Sequence, residues 1–189
     1  LASGTLLADV FFHILPELGL GENENLSYVI LFALVFYFFI ESILHIRHCH
    51  DVTHSHSSLR YGLVISDIIH NFIDGIAIAV SFSVSLPLGI ATVIAIVFHE
   101  IPKEVGSIAV LIKSGLSIVK SIKLNLITAV AGILGVLFVN ILPEGLEPYL
   151  LAFTAGNFLY IALTDLLPDI HSENTSKRHA VIAFLMILV

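Results

Sequence analysis

Two short segments carry most of the polar chemistry of this chain, and each lies inside a long hydrophobic run. Their side chains are imidazoles, an amide and carboxylates: His70, Asn71, Asp74, His99, Glu100 and Glu104. Ionisable groups near the centre of a bilayer are costly, so they persist there where they have partners. Imidazole nitrogens and carboxylate oxygens are ligands that divalent transition metals prefer. The six residues therefore predict a metal-binding site.

Helical spacing gives each segment one polar face. Residues three or four apart lie on the same side of a helix, so His70 and Asp74 share a face and Asp67 lies one turn earlier on it. If the two faces oppose each other, their donors converge. Two imidazoles favour Zn²⁺, Fe²⁺ or Mn²⁺ over Ca²⁺ and Mg²⁺, which prefer oxygen alone. A buried polar network that only locks the helices together is the alternative.

The elements that must position these donors are transmembrane helices. The chain has 189 residues, of which 57% are hydrophobic and 12% charged, with a mean hydropathy of +1.00. Soluble domains carry about 25% charged residues, and long apolar runs must satisfy their backbone internally. The sequence therefore predicts one all-α transmembrane domain over residues 1–189, a bundle of about seven spans. The predicted spans are 1–15 (ending at Pro16), 26–44, 59–83, 88–112, 118–141, 149–167 and a run from His179.

Basic residues predict the orientation of the bundle. Seven of the eight lie in or beside the loops after the second, fourth and sixth spans, and the eighth, Lys103, lies inside the fourth span. The seven are Arg47, Arg60, Lys113, Lys120, Lys123, Lys177 and Arg178. The opposite loops contain Glu and neither Lys nor Arg. Cytosolic loops are enriched in Lys and Arg, so we expect the basic loops, and the start of this chain, on the cytosolic side. We also expect a piece of a longer protein, because Leu1 is not an initiator Met and the run from His179 is short for a span.

The loop 45–58, on the cytosolic side, is rich in histidine. Its imidazoles are His45, His48, His50, His54 and His56. Clustered histidines in such a segment favour weak metal binding, which weakens as pH falls through the imidazole range near 6.5. A polar tether without metal is the alternative.

A second His–carboxylate pair lies near the exterior end of the first span. Asp9 and His13 are four residues apart and share a helix face. We interpret them as residues that line an entrance, with an ordinary helix-end histidine as the equal alternative.

The two central motifs resemble those of a known family. Residues His70–Gly75 read HNFIDG and residues His99–Glu104 read HEIPKE. This pairing resembles the ZIP (Zrt-/Irt-like) divalent-metal transporters, in the branch with HNFxDG and HExPxE motifs. Residues 4–17 and 154–162 resemble the second and seventh helices of that family.

The resemblance implies a fold, a function and a ligand set. It implies eight helices, the first missing from this chain and the last truncated, with inverted three-helix repeats around a central pair. It implies transport of zinc, or a related dication such as Fe²⁺ or Mn²⁺, into the cytosol. It also implies that His70, Asn71, Asp74, His99 and Glu100 are ligands.

Lys103 departs from the family pattern, which usually has His or Glu there. A protonated lysine has no lone pair for a metal, so Lys103 is interpreted as a modulator of the site. Asp67, one turn before His70, is interpreted as a second modulator. Our hypothesis is that the ammonium replaces one cation of a two-metal centre and pairs with Glu100, Glu104 or Asp74. A neutral, coordinating amine and a loss of transport are the alternatives.

Three classes of function remain open from the sequence. A metal transporter comes first, and a transport-deficient metal sensor or scaffold comes second. An intramembrane metalloprotease is a distant third, because HEIPK has Lys103 where H-E-x-x-H has its second zinc-binding histidine.

The expected partners are a divalent metal ion and the lipid bilayer. The sequence has no basic patch of the kind that binds nucleic acid. We also expect no catalytic cofactor. Small residues four apart, such as Gly75 and Ala79, predict close helix packing, with a homodimer as the alternative. We expect a multi-pass protein of the plasma membrane or of an endomembrane such as the ER or Golgi.

Overall fold

The computed structural model describes residues 2–19, 23–44 and 56–166, and this part of the chain is helical with no strand in it. The helices are α1 (Ala2–Asp9), α2 (Leu15–Leu18), α3 (Glu24–Leu44), α4 (His56–Val84), α5 (Leu86–Lys113), α6 (Ile118–Val139) and α7 (Glu147–Ile161). Two π-helical turns, Val10–Ile14 and Ala162–Leu166, join α1 to α2 and extend α7. Helices cover the first six predicted spans to within three residues at each end. The run from His179 lies outside the described residues.

The first helix differs in one detail from its prediction. It does not end at Pro16 but continues to Leu18, and Gly19 then ends it with a left-handed φ of 53°. Pro16 lies in the first turn of α2, where a missing N–H is tolerated. A proline ring also disfavours a regular α-helical turn before it, and the π-helical turn lies there.

Within the described part of the chain, three helices are long and apolar enough to cross a membrane: Arg60–Val84, Leu86–Lys113 and Ile118–Val139. A shorter apolar helix covers Glu24–Ile40. After the exposed Lys120 and Lys123, the outward face of α6 is apolar, with Leu126, Val130 and Leu134 all exposed, as expected for a surface that contacts lipid. The chain is therefore an all-α membrane protein.

Small residues let α4 pack closely against α6. A Cβ atom on Gly75 would collide with the backbone of Gly132, and one on Gly135 would collide with the carbonyl of Phe72. Membrane helices use glycine for such approaches. The small residues of α4 and α6 thus serve packing within one chain, and α4 also contacts α5 and α7.

The connection between α4 and α5 sets their relative depth. Ser85 alone separates them, in an extended conformation, and its hydroxyl caps α5 by accepting the N–H of Leu88 at 3.3 Å. The two helices therefore form a tight hairpin. His70 and His99 lie nearly the same number of residues from Ser85, one before it and one after it. With the same rise of about 1.5 Å per residue in both helices, the two histidines reach the same depth.

Candidate metal centre

Four side chains from α4 and α5 converge in the interior of the bundle. They are His70, Asp74, His99 and Glu100, and one donor atom from each lies within 4.8 Å of the others. The two Nε2 atoms of His70 and His99 are 3.2 Å apart. The nearest Asp74 oxygen, Oδ2, lies 3.4 Å from the His70 Nε2 and 3.3 Å from that of His99. The opposed faces predicted from the sequence therefore meet.

These separations fit the size of one tetrahedral metal site. Nitrogen and oxygen ligands about 2.0–2.1 Å from a zinc ion stand about 3.3–3.4 Å from one another in a regular tetrahedron. The Oε2 atom of Glu100 lies 3.3 Å from the His70 Nε2 and 3.8 Å from that of His99. Only the second of these distances is clearly longer than a tetrahedral edge. The donors therefore need little movement to hold one ion.

Hydrogen bonds turn the Nε2 atom of both imidazoles into the cluster. The Nδ1 atom of His99 lies 3.1 Å from the carbonyl oxygen of Ala95, which can only accept. In a neutral imidazole the other nitrogen, Nε2, then has a free lone pair. The Nδ1 atom of His70 lies 2.8 Å from the Tyr37 hydroxyl. Each imidazole thus has the outer-sphere partner typical of metal-binding histidines.

Burial of these ionisable groups costs free energy unless a cation lies among them. Asp74 and His99 are 4% and 1% exposed. The Oδ2 atom of Asp74 has the two imidazole Nε2 atoms at 3.3 and 3.4 Å, and its Oδ1 atom has no hydrogen bond with a described residue. A buried carboxylate in that condition is costly, and a cation between the four donors would offset the cost. The donor set therefore fits a dication chemically as well as geometrically.

Lys103 forms an ion pair with Glu100. Its Nζ atom lies 2.9 Å and 3.0 Å from the two carboxylate oxygens. Asp67 and Glu104 are further away, at 3.8 Å and 3.9 Å from the same Nζ atom. Of the three partners considered from the sequence, Glu100 is the direct one. Glu100 therefore connects the four-donor cluster to the lysine, and Glu104 lies beside the lysine rather than among the four donors.

Asn71 and Asp67 form a polar group on α4 next to the cluster. The Asn71 amide nitrogen donates to the backbone carbonyl of Asp67 at 2.9 Å. The Ser107 hydroxyl donates to the Asp67 carboxylate at 3.3 Å. Both predicted residues are buried, and they form a polar layer between the four donors and the N-terminal end of α4.

Asp9 and His13 lie together at a separate cavity. The His13 Nδ1 atom is 3.4 Å from an Asp9 oxygen, with Asp9 buried and the His13 side chain 46% exposed. They line a cavity of about 560 Å³ between α1 and α5, near Pro87 at the start of α5. The cavity is otherwise mainly apolar. The pair lies near the end of α5 opposite the basic loops.

Most of the histidine-rich segment lies outside the part of the chain that the structure describes. His45, His48, His50 and His54 lie outside the described residues, and α4 begins at His56, inside the predicted loop 45–58. Tyr37 contacts His70 in the structure, but the sequence analysis does not predict it as a site residue. Its signal is weak: it is the one polar side chain between Tyr28 and Glu41 in an apolar helix.

Comparisons with known proteins find relatives over most of this chain. A family model described as ZIP Zinc transporter matches residues 47–189. Zinc transporter ZIP13 of Pongo abelii is 35% identical over 196 residues, covering 94% of this chain and 59% of that protein. Zinc transporter ZIP10 of Homo sapiens is 37% identical, covering 70% of the chain and 19% of the relative. Zinc transporter ZIP4 of Mus musculus is 43% identical, covering 58% and 17%. The chain thus spans less than two thirds of each of these relatives.

Proposed function

Because this chain belongs to the ZIP zinc transporter family, we propose that it carries zinc across a membrane into the cytosol. Fe²⁺ and Mn²⁺ are the alternative cargoes, since the same donors suit them. The binding site is the four-donor cluster, near the middle of the membrane. The observation that supports this most is that His70 and Asp74 of one helix meet His99 and Glu100 of another at tetrahedral spacing.

The proposed direction rests on the distribution of polar groups along the bundle. The cavity lined by Asp9 and His13 lies toward the side opposite the basic loops, and a carboxylate there attracts cations. On the other side of the cluster, Asp67, Ser107 and Glu104 lead toward the cytosolic end of α4 and α5. Zinc would enter beside Asp9, bind the cluster and leave along this oxygen-rich side. The histidine-rich loop 45–58 would receive it.

Lys103 leads us to propose a single-cation site. Its Nζ atom contacts both oxygens of Glu100 and has Asp67 and Glu104 within 4 Å. A group surrounded by carboxylates is favoured as an ammonium, which adds positive charge but no ligand. The lysine would thus occupy the place of a second cation and leave one site for cargo. Glu100 is shared between Lys103 and the metal, which weakens its hold on zinc and favours release.

The metalloprotease alternative gains no support from the site. It needs Glu100 as a free general base and a second zinc-binding histidine four residues after His99. Glu100 is instead paired with Lys103, which takes that position. The sensor or scaffold alternative predicts zinc binding without movement of zinc, so flux measurements separate it from transport.

The test is uptake of radioactive zinc by liposomes that contain the full-length protein. We expect uptake above that of protein-free liposomes, and its loss in His70→Ala and in His99→Ala. Size-exclusion profiles and helical circular dichroism check that both variants fold. Zinc binding without uptake in the unmodified protein would contradict transport and support the sensor. Cleavage of a peptide substrate, measured in parallel, would support the protease.

A further inference from the structure

Tyr37 reaches the metal cluster from a helix that contributes none of its four donors. It lies in the middle of α3, is buried, and places its hydroxyl oxygen 2.8 Å from the Nδ1 atom of His70. Its ring meets the His70 ring edge-on, with centroids 6.2 Å apart. The other side of the tyrosine packs against Tyr160 of α7, at 5.4 Å between centroids. The tyrosine is therefore held by α7 and directed at His70.

The hydroxyl controls which nitrogen of His70 faces the metal site. An imidazole ring can rotate about its bond to Cβ, and a hydrogen bond at Nδ1 restricts that rotation. The bond to Tyr37 holds Nε2 toward His99, Asp74 and Glu100, at 3.2–3.4 Å from their donor atoms. Orientation of this kind is what outer-sphere partners supply to metal-binding histidines.

A tyrosine hydroxyl suits this position because it both donates and accepts. When zinc is bound, the lone pair of His70 Nε2 is on the metal, so the proton is on Nδ1 and the Tyr37 oxygen accepts it. When Nδ1 is unprotonated, the hydroxyl donates to it instead. His99 differs, because the Ala95 carbonyl near its Nδ1 atom can only accept. The His70 ring can thus keep one orientation in both protonation patterns.

We propose that Tyr37 is a positioning residue of the zinc site, whose hydroxyl orients His70 and so raises the affinity of the cluster for zinc. The proposal rests on the proposed function, since it assumes that the cluster binds zinc. It assigns to α3 an indirect part in metal binding, through the orientation of His70. Outer-sphere partners of this kind change metal affinity by about 10- to 100-fold.

The experiment compares Tyr37→Phe with the full-length unmodified protein. Phenylalanine keeps the ring that packs on Tyr160 and removes only the hydroxyl. The matched control is Thr154→Val, which removes a buried hydroxyl that bonds to the Leu150 carbonyl of its own helix. Zinc is titrated into each protein in detergent, and the histidine ring nitrogens are observed by NMR in the zinc-bound state.

We expect Tyr37→Phe to weaken zinc binding at least tenfold and to shift the ring-nitrogen signals of His70. Thr154→Val should leave the zinc affinity within twofold of the unmodified protein. Equal affinity and unchanged His70 signals in Tyr37→Phe would overturn the role of Tyr37 and leave the proposed function intact. An unmodified protein that binds no zinc would overturn both. An equal loss in both variants would assign the effect to general packing and overturn the specific role.

Discussion

Two histidine–aspartate pairs in this protein have the same helical spacing and different surroundings. His70 and Asp74 lie on α4, and Asp9 and His13 lie on the first helix and its π-helical turn. The closest nitrogen–oxygen distance within each pair is 3.4 Å. Within its own helix, each pair therefore looks like half of a metal site.

The difference lies in what the neighbouring helix offers. Opposite the first pair, α5 presents His99 and Glu100, with donor atoms 3.2–3.3 Å from the His70 Nε2. Opposite the second pair, the same helix presents mainly apolar residues such as Ile90 and Ile94, and a cavity remains between them. A pair at helical spacing thus becomes a four-donor cluster only where a second helix brings ligands to it.

The largest expected effect compares the same substitution in the two pairs. Asp74→Asn should lower zinc affinity by more than about 100-fold, because it replaces a negatively charged ligand with a neutral amide, while outer-sphere losses alone reach about that scale. Asp9→Asn should change the affinity by less than about threefold, because no second helix completes that pair. Zinc titration of both purified variants gives the two values. Similar losses in both would mean that the pairs do not differ as described.

A second, intermediate effect concerns the charge beside the cluster. In Lys103→His we expect the number of zinc ions bound per chain to rise from one to two, because the ammonium is removed and an imidazole lone pair faces Glu100, Asp67 and Glu104. Lys103→Gln is the matched control, since it removes the charge without adding an imidazole, and should still bind one ion. Isothermal titration counts the ions, and an unchanged number in Lys103→His would contradict the single-cation role of the lysine.

The smallest effect is expected at the entrance. His13→Ala should raise the half-saturating zinc concentration for uptake by about twofold to threefold and leave the maximal rate unchanged, because a half-exposed neutral imidazole offers a passing ion one lone pair and no charge. Initial rates of zinc uptake into liposomes over a range of zinc concentrations measure both quantities. A fall in the maximal rate as large as that of His99→Ala would place His13 in the binding site itself.

Much of the fold could be predicted because long apolar runs in a membrane have few structural choices. The spans that became α3 to α6 follow directly from hydropathy, and Ser85 with Pro87 marks the sharp turn between α4 and α5. The continuation of the first helix past Pro16 to Leu18 could not be predicted in the same way. It depends on the π-helical turn before the proline, and single-residue propensities do not encode such a turn.

The candidate site, like the fold, was predictable from the sequence only in part. The sequence predicted which residue types are present and that His70 and Asp74 share a face. It left open whether Lys103 pairs with Glu100, Glu104 or Asp74, and it included Glu104 in the ligand set. The structure places Lys103 on Glu100 and sets Glu104 beside it. The contact of Tyr37 with His70 joins residues 33 positions apart, and no local pattern indicates it.

By itself, the sequence determined that this chain is a bundle of membrane helices, and it placed metal-binding residue types on one face of each of two neighbouring helices. These properties follow from hydrophobicity and from the 3.6-residue period, which act within a few turns of chain. Only the tertiary structure decided which faces meet, that one pair gains ligands from α5 while the other borders a cavity, and which carboxylate holds the lysine. Those outcomes depend on the depth and rotation of whole helices, and packing across the bundle sets both.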